Sequence, residues 1–135
     1  MKDIFNIILF MKKYITLKNL GWLLTAVVSF MLGMAGVSKI LGTQEMVNNF
    51  TYFKLLPYLT WVGVAEVVSV ILLVIPRTSF WGALLIGSIM SAASIMHLTS
   101  LGGQGLLTPV LIGVLAWVSH FLRKGCLTKT CQCAK

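Results

Sequence analysis

A chain of 135 residues in which 58% are hydrophobic and only 10% charged has too little polar side chain to cover a water-soluble surface, since soluble domains carry about 25% charged residues. The mean hydropathy of +0.93 points the same way, toward a membrane protein whose length allows one domain. The net charge of +8 does not indicate nucleic acid, because the basic residues flank apolar runs and line no face of their own.

The first eighteen residues form a separate segment in this reading. Ile4–Met11 is apolar but too short to span, and Lys12 and Lys13 follow at once. No small-residue cleavage site precedes the first span, so a removed signal peptide is not expected. Residues 1–18 are expected to lie on the membrane surface with lysines toward anionic lipid, or else to be disordered. Residues 19–123 then hold four apolar stretches: Leu20–Leu41, Tyr58–Ile75, Ser79–Leu98 and Leu106–Leu122. Each approaches the ~20 residues that cross ~30 Å of hydrocarbon as a helix. None alternates as a barrel strand would. An all-α, four-helix transmembrane bundle is the expected fold.

The connections carry their own signals. Gly42–Pro57 holds Gln44, Glu45, Asn48 and Asn49, a polar loop or short surface helix. Pro76 and Arg77 make a tight turn, and Gly102, Gly103 and Gly105 loosen the last link before Pro109 in the first turn of the fourth helix. Trp22, Trp61, Trp81 and Trp117 lie toward helix ends, where amphipathic rings prefer the interface. With four spans both termini share a side with Arg77, and that side holds nine of the eleven Lys and Arg residues; Lys39 and Lys54 lie opposite. By the positive-inside rule the termini are cytoplasmic in a multi-pass protein of the cell membrane.

Few ionisable groups fall inside the spans. Glu66 sits about 12 Å along the second helix, and a carboxylate at that depth faces the bundle interior with a partner. Gly63 and Ser69 on its face let another helix come close. Chain direction brings Lys39, at the outer end of the first helix, and His97, at the outer end of the third, to a similar depth. Lys39, Glu66 and His97 are therefore the candidate intramembrane site, with Lys39 compensating Glu66 and His97 a titratable neighbour. His120 is expected at the inner interface beside Arg123 and Lys124. Ala83, Gly87 and Ser91 recur at helix-packing spacing, and the methionines of the spans are adaptable apolar filler. In the tail, residues 124–135, Cys126, Cys131 and Cys133 are read first as free thiols; the alternatives are a thiol redox role or a soft-metal site completed by His120, although their spacing fits no standard zinc knuckle. On this topology they face a reducing compartment, so no disulfide is expected.

Assembled, these pieces resemble the DoxX-like family of small four-helix membrane proteins, within the DoxX/DoxD group. The matching segments are AGVSKILG (Ala35–Gly42), VGVAEVVSVILLVIP (Val62–Pro76) and SAASIMHL (Ser91–Leu98), over roughly Leu24 to Arg123. The resemblance implies a link to membrane redox systems in some members and to membrane-protein assembly in others. Three readings follow. One is an accessory subunit of a redox system, with a quinone or other lipophile near Lys39, Glu66 and His97 and another membrane or redox protein as partner. The second is a non-catalytic assembly factor, and the third a small proton-coupled carrier using Glu66. No self-sufficient catalytic constellation and no nucleotide, flavin or haem site is visible, so an enzyme acting alone is not expected.

Overall fold

The computed structural model describes residues 2–100 and 102–124, with the backbone alone for residues 2–16 and Ser100. The described residues form five helices and no strand: α1 (Lys2–Ile40), α2 (Gln44–Tyr52), α3 (Leu59–Val74), α4 (Ser79–Ser100) and α5 (Leu107–Lys124), with one 3₁₀ turn at Leu56–Tyr58. Helix ends fall where backbone chemistry requires them. Gly42, at φ +63°, closes α1; its N–H reaches Lys39 O and that of Thr43 reaches Ser38 O, the paired bonds of a left-handed helix stop. Pro76 cannot continue α3. The Thr78 hydroxyl donates back to Leu72 O at 3.0 Å, satisfying a carbonyl near the end of that helix.

The helix bounds depart from the sequence-based ones in informative places. α3, α4 and α5 lie within two residues of the expected spans, whereas α1 continues back to Lys2 without a break. Of the two readings of the stretch after Gly42, loop or short helix, the helix is the one found. Three helical stretches are long and apolar enough to cross a membrane: Leu17–Ile40, Leu56–Val74 and Ser79–Thr99. The fourth expected span is α5, which carries both Arg123 and Lys124 in its last turn.

α1 packs on α3 and α5, and α4 packs on the same two helices. Glycines decide where each pair touches. Gly36 and Gly63 oppose each other near the Lys39 end, and a Cβ at Gly63 would lie 2.7 Å from Gly36 O. At the other end of the molecule Gly82 of α4 presses on the backbone of Leu72 and Leu73 of α3, and Gly21 of α1 presses on Leu122 and Arg123 of α5. So α3 leans on α1 at one end and on α4 at the other.

Each helix buries a narrow stripe. On α3 the buried residues are Leu59, Gly63, Glu66, Ser69 and Leu73, steps of three and four that keep to one side of a helix. The rest faces outward and is strongly apolar: Phe30 is 72% exposed, and Trp61 and Leu107 are each 74% exposed. Meanwhile Thr25, Glu66, Ser69, Ser119, His120 and Arg123 are buried. Water would drive the reverse arrangement, and apolar surface of this extent marks contact with lipid. The chain is a membrane protein.

The Arg123 end is tied by a polar knot. The Arg123 guanidinium donates to Leu73 O (2.8 Å), Val74 O (3.1 Å) and Thr25 Oγ1 (3.2 Å), and lies 4.1 Å from the Trp22 ring centroid. The last carbonyls of a helix lack intrahelical donors and sit at its negative end, so a cation suits them. His120, expected at the interface, is instead only 5% exposed, with Nδ1 2.9 Å from Ser79 Oγ. The physical reason is phase. α5 turns Ala116, Ser119, His120 and Arg123 to the interior together, and sequence nearness to Lys124 does not report which way a helix residue faces.

The glycine contacts can be tested by substitution. Gly63→Ala should destabilise the protein by about 1–3 kcal/mol through overpacking against Gly36, read from denaturant unfolding in detergent micelles. Gly33→Ala, whose Cβ meets nothing within 4 Å, should be neutral or stabilising by up to about 1 kcal/mol, as expected for removing a helical glycine. Equal effects at the two positions would remove close packing as the reason for Gly63.

Candidate functional site

Lys39 and Glu66 each follow a packing glycine by three residues, one helical turn. Because Gly36 and Gly63 let α1 and α3 approach closely, the two side chains above them meet directly. Lys39 Nζ lies 2.9 Å from Glu66 Oε1 and 2.7 Å from Oε2, donating to both oxygens. The side chains are 11% and 4% exposed. Charge-assisted bonds of this length are strong, and each charge removes the other's cost in an apolar setting. An ammonium has three N–H groups, so one remains for another acceptor.

His97 enters from the last turn of α4. Its Nδ1 lies 2.8 Å from Gln104 O, and a carbonyl only accepts, so Nδ1 carries the proton and Nε2 of the neutral ring is an acceptor. The loop after α4 folds back to make this bond: Gly103 N–H donates to His97 O at 3.0 Å. Gly105, at φ +74°, passes so close that a Cβ there would lie 3.2 Å from the imidazole. On another side the Phe53 ring meets the imidazole edge-on, with centroids 6.4 Å apart.

All three residues line one cavity of about 680 Å³, within the size range of small-molecule sites. Lys39 and Glu66 are bonded to each other, and His97 is bonded to the loop and not to either of them. The walls are Val62 and Ala65 of α3 and Ile89, Ala92, Ala93 and Met96 of α4; α2 supplies a roof with Met46, Asn49 and Phe50. The roof escaped the sequence reading. Its signal was there: Met46, Phe50 and Phe53 recur at steps of four and three, one apolar face on a short polar helix.

Chemically, the cavity offers a neutralised ion pair, one unshared ammonium proton and one imidazole acceptor within largely apolar walls. Such a set can hold and orient a polar group on an apolar molecule. Among the described residues no three or more His, Cys, Asp or Glu lie together as a metal site. Cys126, Cys131 and Cys133 lie outside the described residues.

The comparison with known proteins agrees with the helical architecture and spans the site. The profile of the DoxX-like family matches residues 23–119, from the middle of α1 well into α5. No curated protein and no solved structure matches the chain. The matched stretch exceeds half the chain and includes Lys39, Glu66, His97 and the whole of the α2 roof. The protein belongs to the DoxX-like family.

Proposed function

We propose that the protein is an accessory subunit of a membrane redox system that holds a lipophilic molecule, such as a quinone, in the cavity lined by Lys39, Glu66 and His97. The observation that carries this reading is the cavity itself: a largely apolar space at one end of the helices, lined by a buried ion pair. A deep carboxylate is costly in lipid and is kept where it has work to do. The partner is a further membrane or redox protein that supplies or removes electrons, since no electron-carrying group has a visible place among the residues of the cavity.

In this proposal residues 19–123 form a four-helix transmembrane bundle in the cell membrane, with both termini cytoplasmic and the cavity toward the outer face. α5 supports a fourth crossing although its composition is less apolar than that of the other three. Its polar residues Ser119, His120 and Arg123 are buried, while Leu107, Val110, Leu111 and Val114 are exposed. A helix can afford internal polar groups when its lipid-facing side is apolar. The distribution of Lys and Arg supports the orientation.

A second reading, a non-catalytic partner in assembling another membrane protein, draws on a groove of about 540 Å³ between α4 and α5. Gly87, Ser88 and Ser91 line it, small residues against which a partner helix could pack closely. The proton-coupled carrier is less well supported. Val28, Leu32, Leu73 and Ile86 belong to an apolar core cluster, a poor route for a proton.

Three experiments bear on these proposals. An impermeant maleimide added to intact cells should leave Cys126, Cys131 and Cys133 unmodified until the membrane is broken; labelling from outside reverses the orientation. Breaking the ion pair from either side should cost up to ~3–5 kcal/mol, less if lipid headgroups reach it. Lys39→Met combined with Glu66→Gln should be milder than the sum of the two, and additive losses in unfolding measurements would show no coupling. Finally, protein purified from its native membrane should carry an extractable lipophile and a redox protein, with the lipophile depleted in the Glu66→Gln form. Recovery of neither one defeats the redox-subunit reading.

A further inference from the structure

The helix contacts leave one interspace open. α3 is drawn onto α1 by Gly63 and onto α4 by Gly82, at opposite ends of its length. Its contact with α4 is therefore tight beside the Pro76 turn, and the cavity occupies the space between the two helices at the far end. Wall residues on both sides of that space are alanines. Ala65 and Ala92 both line the cavity and are exposed. Their neighbours Val64, Val68, Ile95 and Leu98 are exposed apolar residues of the same helices. The cavity wall at these two alanines thus adjoins an apolar, outward-facing surface. Toward the Lys39 end, in contrast, the cavity is covered by Met46, Phe50 and Phe53.

The charge inside the cavity is balanced. Both Glu66 oxygens accept from Lys39, and the ammonium spends its charge on that carboxylate. An anionic or a cationic head would add a net charge to a site whose own pair is already balanced, unless it drew Lys39 or Glu66 away from its partner. Either outcome leaves a buried charge without a partner, in surroundings that screen it poorly. A neutral hydroxyl or carbonyl meets no such conflict, because the third Lys39 N–H donates and the His97 Nε2 accepts.

We infer that the cavity takes an uncharged amphiphile, and takes it sideways from the bilayer between α3 and α4 at Ala65 and Ala92. This rests on the reading of the cavity as a lipophile site and adds to it the charge of the ligand and its route. The alanines set the width of the opening, and the Lys39–Glu66 pair sets the charge of the head that is accepted.

Photolabelling in phosphatidylcholine vesicles tests both parts with the full chain. The probes are a hexadecanol carrying a diazirine on its chain near the head, and the sulfate monoester of the same alcohol, which is permanently anionic. Cross-links are mapped by peptide mass spectrometry to the Val62–Glu66 and Ile89–His97 segments. The alcohol should label these segments about tenfold more than the sulfate, a tenfold preference corresponding to about 1.4 kcal/mol. Ala65→Phe with Ala92→Phe should cut alcohol labelling by a similar factor of about ten. Val68→Phe, exposed on α3 but outside the cavity, should label like the unaltered protein. Leu at the two alanine positions is a milder plug should Phe impair folding. Equal labelling by the sulfate overturns the charge selection, and undiminished labelling of the plugged forms overturns the lateral route. No labelling of the cavity by either probe in the unaltered protein removes the lipophile site itself, an outcome distinct from the other two.

Discussion

The contact between Gly36 and Gly63 is the constraint from which the rest of the site follows. In lipid there is little hydrophobic drive to press one apolar helix on another, so the closeness of two helices depends on how far their side chains hold them apart. Two missing side chains at one crossing bring the α1 and α3 backbones together. Only at that separation does a lysine one turn along α1 reach both oxygens of a glutamate one turn along α3. The ion pair and the glycine contact reinforce each other, because either charge alone would be expensive where it sits. The same contact tilts α3 toward α1 at its Lys39 end and away from α4, and the cavity is the space left by that tilt.

The two ends of the molecule handle buried charge differently. At the Arg123 end the guanidinium donates to two backbone carbonyls and a threonine, with a tryptophan face against it. Its planar fork joins elements that a point charge could not hold in the same way. At the Lys39 end the cation is held by a carboxylate beside an open space, with hydrogen-bonding capacity left over. One arrangement completes the packing of three helices, and the other leaves something to be bound. Between the two lies the apolar cluster of Val28, Leu32, Ile86 and their neighbours, which keeps the ends electrically separate.

Much of the fold was legible because hydrocarbon thickness sets helix length. Apolar runs near twenty residues, bounded by Gly42, Pro76 and the glycines before Pro109, placed the long helices within a residue or two wherever a breaker existed. No breaker stands before Leu20, and there the boundary was missed: the helical backbone runs back to Lys2. In the site, Lys39 and Glu66 were legible as charges inside apolar runs, each one turn beyond a glycine. The bond His97 makes was not legible, because its acceptor is the backbone carbonyl of Gln104 and a carbonyl leaves no mark on residue identity. The same holds for His120, whose burial depends on the rotation of α5, and for the roof, where the spacing of Met46, Phe50 and Phe53 showed an apolar face without showing what it would cover.

The grip of Arg123 on α3 and α1 also has a bearing on how the protein is made. Its acceptors on Leu73 and Val74 are the terminal carbonyls of α3, and its third acceptor, Thr25, lies ninety-eight positions earlier in the chain. A ribosome makes α5 only after every one of these partners. Until then the end of α3 and the Thr25 face of α1 lack the donor that completes them, and the hairpin of α3 and α4 waits half-assembled. The final helix therefore acts as a keystone: its basic end cannot settle before the others are in place, and once it does, α1, α3 and α5 are fastened at a single point.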